Sequence, residues 1–123
     1  MKYLILIYGN PESRAIWEGF TDTRRDEGFA YYAGLTEDLV ASGELIATEA
    51  LTDASMTKRV TVHDGQTMTT DGPFAEAKEL LAGFYLLECE SLERAIECAA
   101  RVPEAEFGLV EVRPVLEFGG PQM

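Results

Sequence analysis

Tyr3-Leu4-Ile5-Leu6-Ile7-Tyr8 and, far along the chain, Gly83-Phe84-Tyr85-Leu86-Leu87-Glu88-Cys89 each carry apolar side chains at both alternating sets of positions. A strand with one face in water alternates apolar and polar residues, so a strand that does not alternate is covered on both faces. Two such strands belong in the middle of a sheet.

Working outward, Gly9-Asn10-Pro11 stops the first strand, with Asn10 as N-cap and Pro11 in the first turn of a short helix around Glu12 to Gly19. From Asp22 to Ser42, Phe29, Tyr32, Ala33, Leu39 and Val40 recur at helical spacing, and Gly43 supplies a left-handed C-cap. Leu45 to Leu51 reads as a strand and Thr52 to Ser55 as a polar loop. Arg59 to His63 alternates, Asp64-Gly65 signals a two-residue hairpin turn, and Gln66 to Thr70 returns. Asp71-Gly72-Pro73-Phe74 must turn, because Pro73 fixes its own φ and keeps Gly72 out of the helical region. Ala75 to Leu81 is expected to form a short helical segment.

Beyond the second strand, Ser91 caps a helix whose apolar stripe is Leu92, Ala95, Ile96 and Ala99, and Pro103 ends it. A last strand is expected from Leu109 to Phe118, with Pro114 marking an edge or a bulge, and residues 119–123 as a loose tail. This order describes one α+β domain spanning residues 1–123, ferredoxin-like with an inserted β-hairpin. Its helices cover one face of the sheet. The simplest cover for the other is the same face of a second copy, a homodimer joined through sheet faces.

Composition sets the partners. Of 123 residues, 22 are acidic and 10 basic, a net charge of -12 that repels phosphate backbones. The basic doublets Arg24-Arg25 and Lys58-Arg59 are short and flanked by acids. Nucleic acid and anionic membrane are therefore not expected partners. The acidity leaves open a basic ligand, a basic protein surface, or simple solubility. No apolar run reaches membrane-spanning length, and the N-terminal run is too short for a signal peptide, so the expected compartment is the cytoplasm. Cys89 and Cys98 sit at apolar positions outside any C-x-x-C pair and read as buried thiols.

Four residues are candidates for chemistry. Asp71, Glu76 and Lys78, with Glu79 beside them, put carboxylates and a cation at the mouth of one turn, the ingredients of acid-base catalysis with a tuned pKa. The alternative is structural: Asp71 closes the turn through backbone N–H groups, the glutamates favour a helix N-terminus, and Lys78 is a solvated helix lysine. His63, the single histidine, suits proton transfer but sits at a hairpin tip, where histidines are commonly surface residues. Tyr8, Tyr32 and Tyr85, with Trp17, would line an apolar pocket between helices and sheet, with Arg113 and Glu111 as its polar end or as a cross-interface ion pair. The competing reading makes the aromatics core. One His and two buried Cys make no zinc set, and no nucleotide-binding or nucleophile-elbow motif appears. No metal and no cofactor are expected.

The run Thr70-Asp71-Gly72-Pro73-Phe74-Ala75-Glu76-Ala77-Lys78-Glu79, followed by Gly83-Phe84-Tyr85 and later by Val110-Glu111-Val112-Arg113-Pro114, resembles the DGPF branch of the YCII-related family. The resemblance implies a dimeric α+β barrel built on the ferredoxin-like unit. It implies no particular reaction. Related YCII proteins have a proposed His and Asp pair, the His lying in the long helix ahead of a glycine like Gly43; here that stretch reads Ala30-Tyr31-Tyr32-Ala33, without His. Ala77 also stands where the more usual motif has Thr. The expected function is a cofactor-independent small-molecule enzyme or binding protein. The alternative is a non-catalytic accessory protein that binds a protein partner, for which the resemblance suggests association with sigma factors.

Overall fold

The computed structural model describes residues 1–116. Four strands form one antiparallel sheet: β1 (Lys2–Gly9), β2 (Leu45–Ala50), β5 (Leu80–Glu88) and β6 (Val110–Pro114), in the order β2-β5-β1-β6. The two strands without alternation, β1 and β5, are the central pair, with Leu4 opposite Leu86, Ile5 opposite Tyr85 and Leu6 opposite Phe84. β3 (Lys58–His63) and β4 (Gln66–Asp71) make a separate two-stranded hairpin. Its turn residues Asp64 and Gly65 both have positive φ, 51° and 76°, which matches the right-handed twist of the strands.

Three helices, α1 (Pro11–Glu18), α2 (Asp22–Ala41) and α3 (Leu92–Ala100), start where the capping residues dictate. Asn10 accepts from the Ser13 amide at 2.8 Å while the Ser13 hydroxyl accepts from the Asn10 amide at 3.0 Å. Thr21 and Ser91 accept from the amides of Arg24 and Arg94, both at 3.1 Å. Past α2, Gly43 takes the left-handed conformation at φ 78°.

The core lies between the helices and one sheet face. It gathers Ile5, Ile7, Tyr85 and Leu87 from the sheet, Leu35 and Leu39 from α2, and Cys98, Ala99 and Val102 from α3 and its exit. A second cluster joins Tyr3, Cys89 and Ala95. Full burial of each large aliphatic side chain stabilises the fold by about 1.5–3 kcal/mol. On the opposite sheet face Leu4, Leu6, Phe84 and Leu86 are half-buried, and Glu111 and Arg113 of the edge strand are exposed.

Several local expectations are corrected. Residues 75–79 form a turn and bends, not a helix, because β5 begins at Leu80, whose pairing with Gly9 and that of Leu81 with Tyr8 takes the end of the segment into the sheet. So short a helix has little stability of its own to compete. The α2 stripe is rotated: Leu35 and Leu39 are buried, whereas Phe29 and Val40 are exposed. In α3 the buried residues are Ala95, Cys98 and Ala99, with Leu92 and Ile96 exposed. β6 ends at Pro114 on the sheet edge, where a missing N–H costs least, and the predicted tail at 119–123 lies outside the described residues. Both cysteines are free and buried, and burial pushes their thiols up. Among the described residues no helix is long and apolar enough to cross a membrane.

Candidate functional site

A groove of about 1560 Å³ opens where the carboxyl end of β1 meets α1, α2, the start of β5 and the 3-10 turn Pro103–Phe107. Its walls are held by contacts that tie separate elements together. Arg25 of α2 donates to the carbonyls of Trp17 and Glu18 at 3.2 and 2.9 Å, fastening α1 to α2. Trp17 then packs edge-on against Phe29, with ring centroids 5.3 Å apart. Gly28 allows this, since a Cβ there would lie 3.3 Å from the indole. Arg14 pairs with Asp53, linking α1 to the loop after β2. Tyr31 donates to the Arg101 carbonyl at 2.6 Å, and the Arg101 guanidinium bonds Asp38 at 2.6 Å, joining α2 to the end of α3.

The groove holds one hydroxyl-carboxylate pair: Tyr32 Oη donates to Glu104 Oε1. Burial first, and then the hydrogen bond to Glu104, hold the Tyr32 phenol well above the usual tyrosine range. Behind it Tyr85, 3% exposed, shares a hydrogen bond with Thr36 at 3.0 Å. At the other end, hydrogen bonding to the Glu111 carboxylate and then burial raise the Tyr8 phenol. A smaller recess of about 430 Å³ lies there, lined by Tyr8, Glu79, Leu109 and Glu111.

The structure divides the residues that the sequence grouped. Lys78 and Glu79 line the groove, as do Tyr8 and Tyr32. Tyr85 belongs to the core. Arg113 sits on the open sheet face, opposite Leu4. Asp71 ends β4 with its carboxylate 83% exposed and paired with Lys58. Glu76 is exposed in the turn, and exposed His63 lies 3.3 Å from Asp64 at the hairpin tip. Because residues 75–79 are not helical, Asp71 points to the hairpin and Lys78 to the groove.

The Asp-Gly-Pro-Phe run acts as a clasp at the hairpin base. Gly72, at φ 86°, donates its amide to the Thr57 carbonyl at 2.8 Å, and Phe74 lies 5.8 Å under the Arg59 guanidinium. Sequence reasoning missed Glu104. Pro103 read only as a helix stop, whereas it also begins the 3-10 turn that presents Glu104 to Tyr32. Nothing local in the sequence marks that pairing across 72 residues. Among the described residues no group of three or more His, Cys, Asp or Glu side chains is arranged to hold a metal.

Comparison with known proteins agrees with this architecture. The model of the YCII-related domain matches residues 1–119. An uncharacterized protein of Rhizobium meliloti (strain 1021), R00369, is 36% identical over 121 residues, covering 94% of this chain and 92% of that one. Among solved structures, 5-chloro-2-hydroxyhydroquinone dehydrochlorinase (TftG) from Burkholderia phenoliruptrix AC1100, in complex with 2,5-dihydroxybenzoquinone, superposes with a TM-score of 0.54. It covers 94% of each chain at 18% identity, a likeness of fold.

Proposed function

Since this chain belongs to the YCII-related domain family, we propose that it is a small-molecule enzyme or binding protein whose ligand occupies the groove between the helices and the start of β5. The observation that carries the reading is the groove itself: an apolar cleft at the end of the sheet, with convergent hydroxyls, carboxylates and one lysine. That the dehydrochlorinase was solved with a ring-sized quinone supports a fold able to house such ligands. Lys78, which lines the groove, is the proposed cation facing the ligand. Asp71, Glu76 and His63 lie outside the groove and take no part in this reading. A second copy over Leu4, Leu6, Phe84 and Leu86 completes the proposed assembly, because these apolar side chains lack a full cover in one chain.

Native mass spectrometry of protein purified gently from its own source tests both parts. A dimer carrying a reproducible small adduct, lost in Lys78→Met, is expected. A bare protein whose Trp17 fluorescence responds to no small aromatic compound would overturn the groove reading, and a monomer would overturn the assembly.

A further inference from the structure

Within that proposed groove, and resting on it, we propose that the Glu104 carboxylate, oriented by Tyr32, is the ligand-anchoring acceptor and that it selects small aromatic molecules presenting an uncharged O–H or N–H donor. The geometry begins with what Tyr32 does to Glu104. Its hydroxyl engages Oε1, which fixes the carboxylate on its short 3-10 turn. Among the described residues Oε2 receives no protein donor. A carboxylate offers about four lone-pair sites, so acceptor capacity remains on a side chain that lines the groove. Tyr32 keeps its proton through the physiological range, because burial and the adjoining carboxylate both oppose its ionisation. The pair is therefore a fixed donor-acceptor unit whose open valence is an acceptor.

The surroundings narrow the ligand. Trp17, Phe20, Tyr31 and Phe107 supply aromatic wall. Three of the lining cations are already neutralised: Arg14 by Asp53, Arg24 by Glu27 and Arg101 by Asp38. Lys78 is the remaining lining cation. An anionic group placed at Glu104 would meet a carboxylate. A fully charged cation would lose more hydration than a neutral donor on entering so apolar a cleft. A phenol or arylamine satisfies both the walls and the free oxygen.

The probes are 4-nitrophenol, held at a pH where its hydroxyl stays protonated, and 4-nitroanisole, which has the same ring with the donor methylated. Equilibrium dialysis reads their affinities, and quenching of Trp17, the chain's single tryptophan, locates them. The phenol is expected to bind at least about tenfold more tightly than the ether, and Glu104→Gln to erase most of that difference. Equal affinities in the unmodified protein, or a Glu104→Gln variant that still discriminates, would overturn the inference and leave the groove reading standing. If neither probe binds or quenches Trp17, the groove reading falls and the inference falls with it. The phenol-ether comparison needs no variant, so a misfolded mutant does not shield the idea.

Discussion

Gly83 is the position where the smallest change should cost most. It lies on β5 opposite Ala50 of β2, and a Cβ there would stand 2.8 Å from the Glu49 carbonyl oxygen and 3.4 Å from the Ala50 Cα. Both obstacles are backbone, so neither can swing aside like a side chain. The β2-β5 ladder must open by roughly half an ångström, and close-packed interiors resist such shifts. Overpacking of this kind costs about 1–3 kcal/mol, offset by about 0.4–1 kcal/mol from the stiffer unfolded chain. Gly83→Ala should therefore destabilise the protein by about 1–2 kcal/mol, lowering the thermal midpoint by about 4–8 °C for a chain of this size. Gly34, inside α2, is the control: an added Cβ meets nothing within 4 Å, so Gly34→Ala should stabilise by up to about 1 kcal/mol. Both variants are to be followed by urea titration at one protein concentration, read by Trp17 fluorescence and far-ultraviolet circular dichroism. An unchanged or raised midpoint in Gly83→Ala would refute the close approach of β2 to β5.

Tyr32→Phe should cost about 1 kcal/mol at neutral pH through the lost hydrogen bond. Its second effect is in base: the raised Tyr32 pKa adds stability that is fully present below the ordinary tyrosine value of about 10 and lost as pH climbs past it, so unfolding curves of the parent should fall more steeply there than those of the variant. Arg94 grips Glu44 through two bonds, at 2.8 and 3.0 Å, and hydrogen bonding to Arg94 holds that carboxyl below the usual range. That contribution is present above the ordinary carboxylate pKa and lost as pH falls, so Arg94→Met should lower the neutral-pH midpoint and flatten the acid limb of stability against pH.

Much of the architecture is written in local patterns. The unbroken apolar runs at Tyr3–Tyr8 and Phe84–Leu87 identify β1 and β5 as central, because only double cover tolerates them. Asn10, Thr21 and Ser91 mark the helix starts, and Asp64-Gly65 marks the hairpin, because caps and tight turns depend on a few neighbouring residues. Tertiary structure decided what neighbours cannot. Ladder pairing with β1 pulled Leu80 and Leu81 out of a helical sequence. Packing against the sheet chose Leu35 over Phe29 and Cys98 over Ile96 as the buried helix faces, since helix rotation is set by the surface it meets. The site divided the same way. Tyr8, Tyr32 and Lys78 were legible as residue types and line the groove, but Glu104 acquires its position only when the chain after α3 folds back on α2. A contact between residues so distant in sequence has no periodicity or spacing to announce it, and so the Tyr32–Glu104 pair in the groove belongs to the fold.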